Sequence, residues 1–106
     1  MSQSTIDREA ADLRTKILET DKVVAGLHEL ADQRRLQALE RGEVIAAFAV
    51  GDMMAVANSI RRQIRRAIEQ TREAKDPRER LREINARFCD EMRTLASALH
   101  AASEAR

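Results

Sequence analysis

This sequence is poor in the residues that interrupt helices and in the aromatic residues that stack on ligands. Its 106 residues include one proline, three glycines, two phenylalanines and no tyrosine or tryptophan. With 43% hydrophobic and 35% charged residues, this profile is typical of long solvated helices rather than of a sheet or a disordered chain. The two aromatic residues, Phe48 and Phe88, are expected to be buried, which argues against a stacking platform for single-stranded nucleic acid.

The single cysteine, Cys89, cannot form an internal disulfide, and the polar start lacks the basic and apolar regions of a secretion signal. We therefore expect a reducing, cytoplasmic environment. The longest apolar stretch, residues 44–57, contains Asp52 and is shorter than the roughly 20 residues that a membrane span needs. We interpret this stretch as protein core and expect no membrane partner.

The residue patterns that support catalysis or metal binding are also missing from the sequence. His28 and His100 are the two histidines, and neither belongs to the paired spacings that build metal sites in helical bundles. There is no glycine-rich phosphate loop and no nucleophile elbow. The net charge of +1 creates no general attraction to nucleic acid or anionic lipid. The sequence favours a protein that is not an enzyme and needs no cofactor and no metal.

The chain does contain three stripes of apolar residues at helical spacing. Gly42 is placed to end the first helix, and Asp76 and Pro77 are placed to cap and begin the last. The sequence thus predicts one all-α domain, 1–106, with helices at about 4–41, 43–75 and 77–104 in an antiparallel bundle. The first helix would be roughly 55 Å long at ~1.5 Å per residue. An alternative breaks the middle helix at Gly51-Asp52 and gives four helices.

The stripes define the predicted core of each helix. They are Ile6, Ala10, Leu13, Ile17, Thr20, Val24, Leu27 and Ala31 in the first; Ala49, Met53, Val56, Ile60, Ile64, Ala67, Thr71 and Ala74 in the second; and Leu81, Ile84, Phe88, Met92, Leu95, Leu99 and Ala102 in the third.

Residues 44–57 are apolar around nearly the whole circumference of the predicted helix, which one neighbouring helix cannot cover. Small residues at Ala47, Gly51 and Ala55 would allow another backbone to approach closely. We therefore predict that homodimerisation completes the bundle, since large uncovered apolar patches are unusual on soluble monomers. The alternative is a monomer with a modest apolar patch. The residues predicted for the dimer or partner interface are Val44, Phe48, Gly51, Met54 and Ala55.

Four arginines follow in the same helix and could contact phosphates or carboxylates. They are Arg61, Arg62, Arg65 and Arg66. Helical spacing places Arg61 and Arg65 on one flank of the buried stripe, and Arg62 and Arg66 on the other. The alternative is an ordinary solvated face, in which Glu69 pairs with Arg65 or Arg66 along the helix.

Part of the first helix resembles a known enzyme family. The pattern Leu13-Arg14, Ile17 and Asp21, with Leu27 and Arg34 further on, is similar to the opening helix of the small all-helical chorismate mutases, which dimerise and line their site with arginine. The resemblance covers about a fifth of the chain. Arg34 lies one turn away from that family's pattern, and no lysine follows at the matching distance, so no catalytic residue is carried over.

Three hypotheses for the function remain. The first is a small non-enzymatic interaction protein, of the adaptor, assembly-subunit, chaperone or inhibitor type, that binds a protein partner through a helix face. The second is a nucleic-acid-associated helical dimer that contacts phosphates through the arginines between Arg61 and Arg66. The third and most distant is a small all-helical enzyme with an arginine-lined site.

Overall fold

The chain forms three helices that pack against one another. A computed structural model describes the backbone of residues 2–104 and the side chains of residues 2–102. Helices α1 (Gln3–Glu40), α2 (Val44–Gln70) and α3 (Arg78–Glu104) account for most of this range, which contains no strand. The result is a rod of 60 × 19 × 14 Å. This confirms the predicted all-α class and its three helices, and α2 is continuous through Gly51 and Asp52 rather than broken there.

Contacts between the helices fix their directions. Arg14 of α1 donates to the Thr71 carbonyl beyond the end of α2, and Asp21 pairs with Arg61, so α2 runs back along α1. Glu9 of α1 pairs with Arg78 at the start of α3, so α3 runs in the same direction as α1. The turn between α1 and α2 therefore lies at the same end of the rod as the last residues of α3.

Gly42 ends α1 as the sequence predicts. Its φ of 75° lies in the left-handed region, and its N–H donates to the Leu39 carbonyl at 3.1 Å. The Glu43 N–H donates to the Ala38 carbonyl at 2.8 Å. These two bonds form a Schellman motif, which satisfies carbonyls that the helix end would otherwise leave unpaired.

The second helix ends at Gln70, five residues before the predicted boundary. The Thr71 hydroxyl donates to the Ile68 carbonyl at 2.7 Å, and the Arg14 guanidinium donates to the Thr71 carbonyl. Side chains therefore satisfy carbonyl groups at the end of α2. The start of α3 agrees with the prediction within one residue, because the Asp76 carboxylate accepts from the Arg78 N–H as an N-cap does.

The core confirms the predicted stripes of α1 and α3 and corrects that of α2. Ile60 and Ile64 are buried as predicted, but Ala49 and Val56 are exposed. The prediction that Phe48 is buried is wrong, since 73% of it is exposed, whereas Phe88 is 1% exposed. In the first half of α2 the buried residues are Ala47, Val50 and Ala57. Because nearly every residue between 44 and 57 is apolar, periodicity did not identify which face of this half packs inward.

Helix α2 is the one helix in the described part of the chain that is long and apolar enough to cross a membrane, judged by length and composition. Core helices of soluble proteins meet the same criterion. Here 22% of the most apolar 18-residue window is buried within the molecule. The interpretation of residues 44–57 as protein core is thus only partly correct, since one face is core and the other is exposed.

Candidate interaction surface on helix α2

The first half of α2 carries large apolar side chains that no other part of the described chain covers. Ile45 is 87% exposed and Phe48 is 73% exposed, and about half of Val44 and of Val56 faces solvent. Asp52 lies among them, is exposed, and has neither a hydrogen bond nor an ion pair to residues 2–104. An exposed apolar surface of this kind marks an interaction site more often than chance exposure.

The five residues predicted for the interface divide between two faces of α2. Val44, Phe48 and Ala55 are exposed. Gly51 instead faces α1, where the Arg35 side chain lies 3.9 Å from the position that a Cβ would take. Met54 packs partly buried against the small core cluster formed by Ala31, Val50 and Leu99. Ile45 and Val56 are exposed beside Phe48 and were not predicted, because the uniform apolar composition gave no signal that separates these faces.

An open groove of about 650 Å³ runs between α2 and α3. It is lined by Ala49, Asp52, Met53, Val56, Ser59, Ile60 and Gln63 of α2 and by Asp90, Glu91, Thr94, Leu95 and Ala98 of α3. Its surface is mainly apolar, with carboxylates along the α3 side. Beside the groove, Arg87 of α3 donates a hydrogen bond of 2.6 Å to the side chain of the lining residue Gln63.

One carboxylate oxygen of a residue that lines this groove is left unsatisfied. Glu91 Oε1 accepts from Arg87 Nε at 3.4 Å, but Glu91 Oε2 is buried and has no hydrogen-bond partner among the described residues. Buried polar atoms nearly always have a partner, and an unpaired one costs free energy. Glu91 Oε2 is not accessible from the groove, which offers an apolar floor with the exposed Asp52 and Asp90 carboxylates as acceptors for a donating or cationic group.

The arginine cluster of α2 separates into one structural residue and three free ones. Arg61 Nε lies 3.0 Å from Asp21 Oδ1, and Arg61 Nη2 lies 3.4 Å from Oδ2, so this guanidinium is held in a two-point contact with α1. Arg62, Arg65 and Arg66 are exposed and pair with no residue in the described range.

The alternative, in which Glu69 pairs with Arg65 or Arg66, does not hold. The Glu69 carboxylate lies 3.0 Å from Arg72 Nε, one turn further along the chain. Three unneutralised guanidinium groups consequently remain on the outer surface of α2.

The residues behind the enzyme hypothesis do not meet in one chain. Arg14 donates to the Thr71 backbone at one end of the rod, whereas Arg34 lines a shallow depression beside the α1–α2 turn at the other. Twenty residues of helix separate them, which corresponds to about 30 Å.

Residues 2–104 contain no group of three or more histidine, cysteine, aspartate or glutamate side chains that could hold a metal ion. Cys89 is half-buried, with the Thr20 hydroxyl 3.7 Å from its sulfur. Comparison with known proteins adds no assignment, because no protein-family model, no curated protein and no solved structure matches this chain significantly.

Proposed function

We propose that this chain is a small non-enzymatic interaction protein that binds a helix of a partner protein. The observation that carries the proposal is the open, mainly apolar groove between α2 and α3, which has the exposed carboxylates of Asp52 and Asp90 in its lining. The occupant that fits this chemistry is an amphipathic helix with an apolar stripe and a lysine or arginine at the edge of that stripe. Helix-in-groove binding of this kind uses anchors at positions i, i+3 or i+4, and i+7.

The dimensions of the groove agree with such an occupant. Its lining on α2 extends from Ala49 to Gln63. That length is about 21 Å of helix, or nearly four turns, which accommodates three or four anchor side chains. The exposed carboxylate of Asp90 is held at 3.6 Å from the exposed Arg93 side chain, a loose surface pair that a partner cation can replace at small cost.

The proposal is tested with a synthetic amphipathic peptide that carries leucines at helical spacing and lysines beside them. Its binding to the full chain is followed by fluorescence anisotropy. Ala98→Arg places a bulky cation in the groove, and Ala98 is exposed, so the fold should tolerate the change. We expect the peptide to bind this variant at least about tenfold more weakly, a loss of roughly 1.4 kcal/mol.

Ser97→Arg is the matched control, since it adds the same side chain one residue away, at an exposed position outside the groove. It should leave peptide affinity unchanged. Equal binding by both variants and the unmodified chain would refute the groove as the docking site.

A homodimer remains part of the proposal, because the exposed half of α2 suits a second copy as well as another protein. In this account the dimer forms through the outer face of α2 and the partner helix binds the adjoining groove; Asp52 and Ser59 border both sites, so the second copy and the partner helix compete at this edge. Truncation of Phe48 to serine should then weaken self-association without reducing helix content.

Nucleic-acid binding is the second candidate, favoured by the three unpaired guanidinium groups of Arg62, Arg65 and Arg66. Contacts with phosphates release counterions, so affinity should fall steeply with salt. Labelled duplex DNA and RNA, titrated at two salt concentrations, test this against a variant with all three residues changed to glutamate. Absence of binding at low salt would exclude this candidate.

A further inference from the structure

The outer face of α2 carries a second periodic stripe besides the one buried in the core. Its members are spaced by alternating steps of three and four residues, and together they form what we call the α2 seam: Ile45, Phe48, Asp52, Ala55, Ser59, Arg62, Arg66 and Glu69. Ser59 is half-buried, and the other seven residues are exposed. This spacing is typical of a seam along which two helices pack.

The seam is complementary to itself when reversed. Helix α2 extends from Val44 to Gln70, so its midpoint is Ala57. When two copies lie antiparallel and overlap fully, residues equally far from Ala57 on either side face each other. Asp52 then lies opposite the second copy's Arg62, because each is five residues from the midpoint. The two-fold symmetry of such a pair repeats every contact.

We propose that a second copy of this chain docks on the α2 seam in this antiparallel register, an inference that rests on the proposed interaction through α2. The first support for this register comes from the charges of two seam residues. Asp52 and Arg62 are both exposed and have no ion pair or hydrogen bond within residues 2–104. In the dimer each Asp52 faces an Arg62 of the other copy, so two pairs of opposite charges form.

The other opposing positions are compatible with the same register. Phe48 meets the second copy's Arg66, where a guanidinium over an aromatic ring is favourable. Ala55 meets Ser59 next to the symmetry axis, and these small side chains allow the helices to approach closely. Ile45 and Glu69 meet at the two ends of the interface, where Glu69 is already paired with Arg72 of its own chain.

Alternative registers place like charges together. A parallel pair sets Asp52 against Asp52 and Arg62 against Arg62. An antiparallel pair that overlaps only through the apolar residues 44–57 brings the two Asp52 carboxylates close to its axis. Like-charge contacts across an interface are costly and select against such arrangements. Full antiparallel overlap is the register of the three in which Asp52 and Arg62 are matched with opposite charges.

The exposed surface is large enough for such a dimer. The chain exposes 7235 Å², whereas a compact monomer of 12.0 kDa exposes ~6,000 Å². Its radius of gyration is 17.0 Å, compared with about 13 Å for a compact domain of this length. The excess is of the order of the roughly 800 Å² that each partner buries in a stable interface of standard size.

Charge reversal with complementation tests the register. The apparent mass of the full chain is measured by sedimentation equilibrium for the unmodified protein, for Asp52→Arg, for Arg62→Asp, and for an equimolar mixture of the two variants. Each variant alone sets like charges against each other twice, and we expect its dimer dissociation constant to rise about tenfold or more. In the mixture both contacts again join opposite charges, so the dimer should return.

Arg65→Asp is the control, since Arg65 is exposed and unpaired but lies outside the seam. It should remain dimeric, and circular dichroism should give the same helix content for all variants. Variants that stay dimeric alone, or a mixture that stays monomeric, would overturn the register.

A monomeric unmodified chain would overturn the second copy as occupant, and flotation of that monomer with anionic vesicles would identify lipid as the occupant instead. The groove is tested separately through Ala98 of α3. If peptide binding depends on Ala98 but charge reversal in the seam has no effect, the proposed function stands and the antiparallel register fails. If the dimer depends on the seam charges but no peptide binds, the register stands and the proposed function fails.

Discussion

Asp21 determines how the arginine cluster of α2 is divided. Its side chain is 12% exposed and sits within hydrogen-bond distance of two nitrogen atoms of Arg61. A carboxylate that is nearly removed from water needs such donors. Arg61 therefore serves the fold, and only the other arginines of the cluster are available to a partner or a phosphate.

This assignment predicts an unequal effect of removing arginines on stability. Arg61→Ala leaves the Asp21 carboxylate without its partner and should lower the free energy of unfolding by about 1–3 kcal/mol. Arg65→Ala removes an exposed and unpaired side chain and should change it by less than about 0.5 kcal/mol. Urea denaturation followed by circular dichroism measures both. Equal stability of the two variants would mean that the Arg61–Asp21 pair contributes nothing.

Individual pairs were the features that the sequence predicted least well. Asp21 lies forty residues before Arg61, and nothing in the local pattern joins them. The alternative pairing of Glu69 did not form because three arginines compete for its carboxylate, two before it and Arg72 after it, and the spacing does not decide between them. Phe48 illustrates the same limit, since an aromatic residue in an apolar run gives no sign that the run has an exposed side.

At the scale of helices, the buried face of each helix was predicted from the contrast between its apolar and its charged residues. Helices α1 and α3 carry narrow apolar stripes between charged residues, so periodicity located their buried faces. Helix α2 lacks this contrast in its first half, and there the prediction of the buried face failed. The same absence of contrast correctly indicated that more apolar surface exists than two neighbouring helices cover.

The C-terminal end of α1 and its interior give opposite predictions for glycine substitution. Gly42→Ala forces a side chain into a left-handed conformation and should destabilise the fold by about 1–2 kcal/mol. Gly26→Ala lies inside α1, where a Cβ meets no atom within 4 Å, and should stabilise it by about 0.5–1 kcal/mol. Thermal unfolding distinguishes the signs. A stabilising Gly42→Ala would contradict the Schellman cap.

The start of α3 should be sensitive to acid. The side-chain hydrogen bond from Arg78 lowers the pKa of Asp76 from its ordinary value of 3.8 to about 2. Since the folded-state pKa is the lower one, this contact stabilises the fold above pH 3.8 and its contribution is lost as the pH falls towards 2. Asp76→Asn keeps a capping side chain but removes the charge. At pH 6 the urea midpoint of this variant should lie below that of the unmodified chain, and the difference should shrink towards zero at pH 2. A difference that stays constant with pH would contradict the ion pair.

The molecule is a rod that is about as long as helix α1 and as wide as three packed helices. Two concave surfaces among the described residues, the groove between α2 and α3 and the depression beside the α1–α2 turn, are both open to solvent. The proposed partner helix would lie along the rod in the first of these surfaces. Both proposed sites, the groove and the seam, run along the axis of α2.

The mass of the unmodified chain in solution tests the central claim most directly. Sedimentation equilibrium at micromolar concentration should give twice the chain mass of 12.0 kDa, with dissociation as the concentration falls. The same measurement on Phe48→Arg, which sets a second cation against the second copy's Arg66 in the α2 seam, should give the single-chain mass. A mass of 12.0 kDa for the unmodified chain at every concentration would contradict the account, because the exposed face of α2 would then remain uncovered.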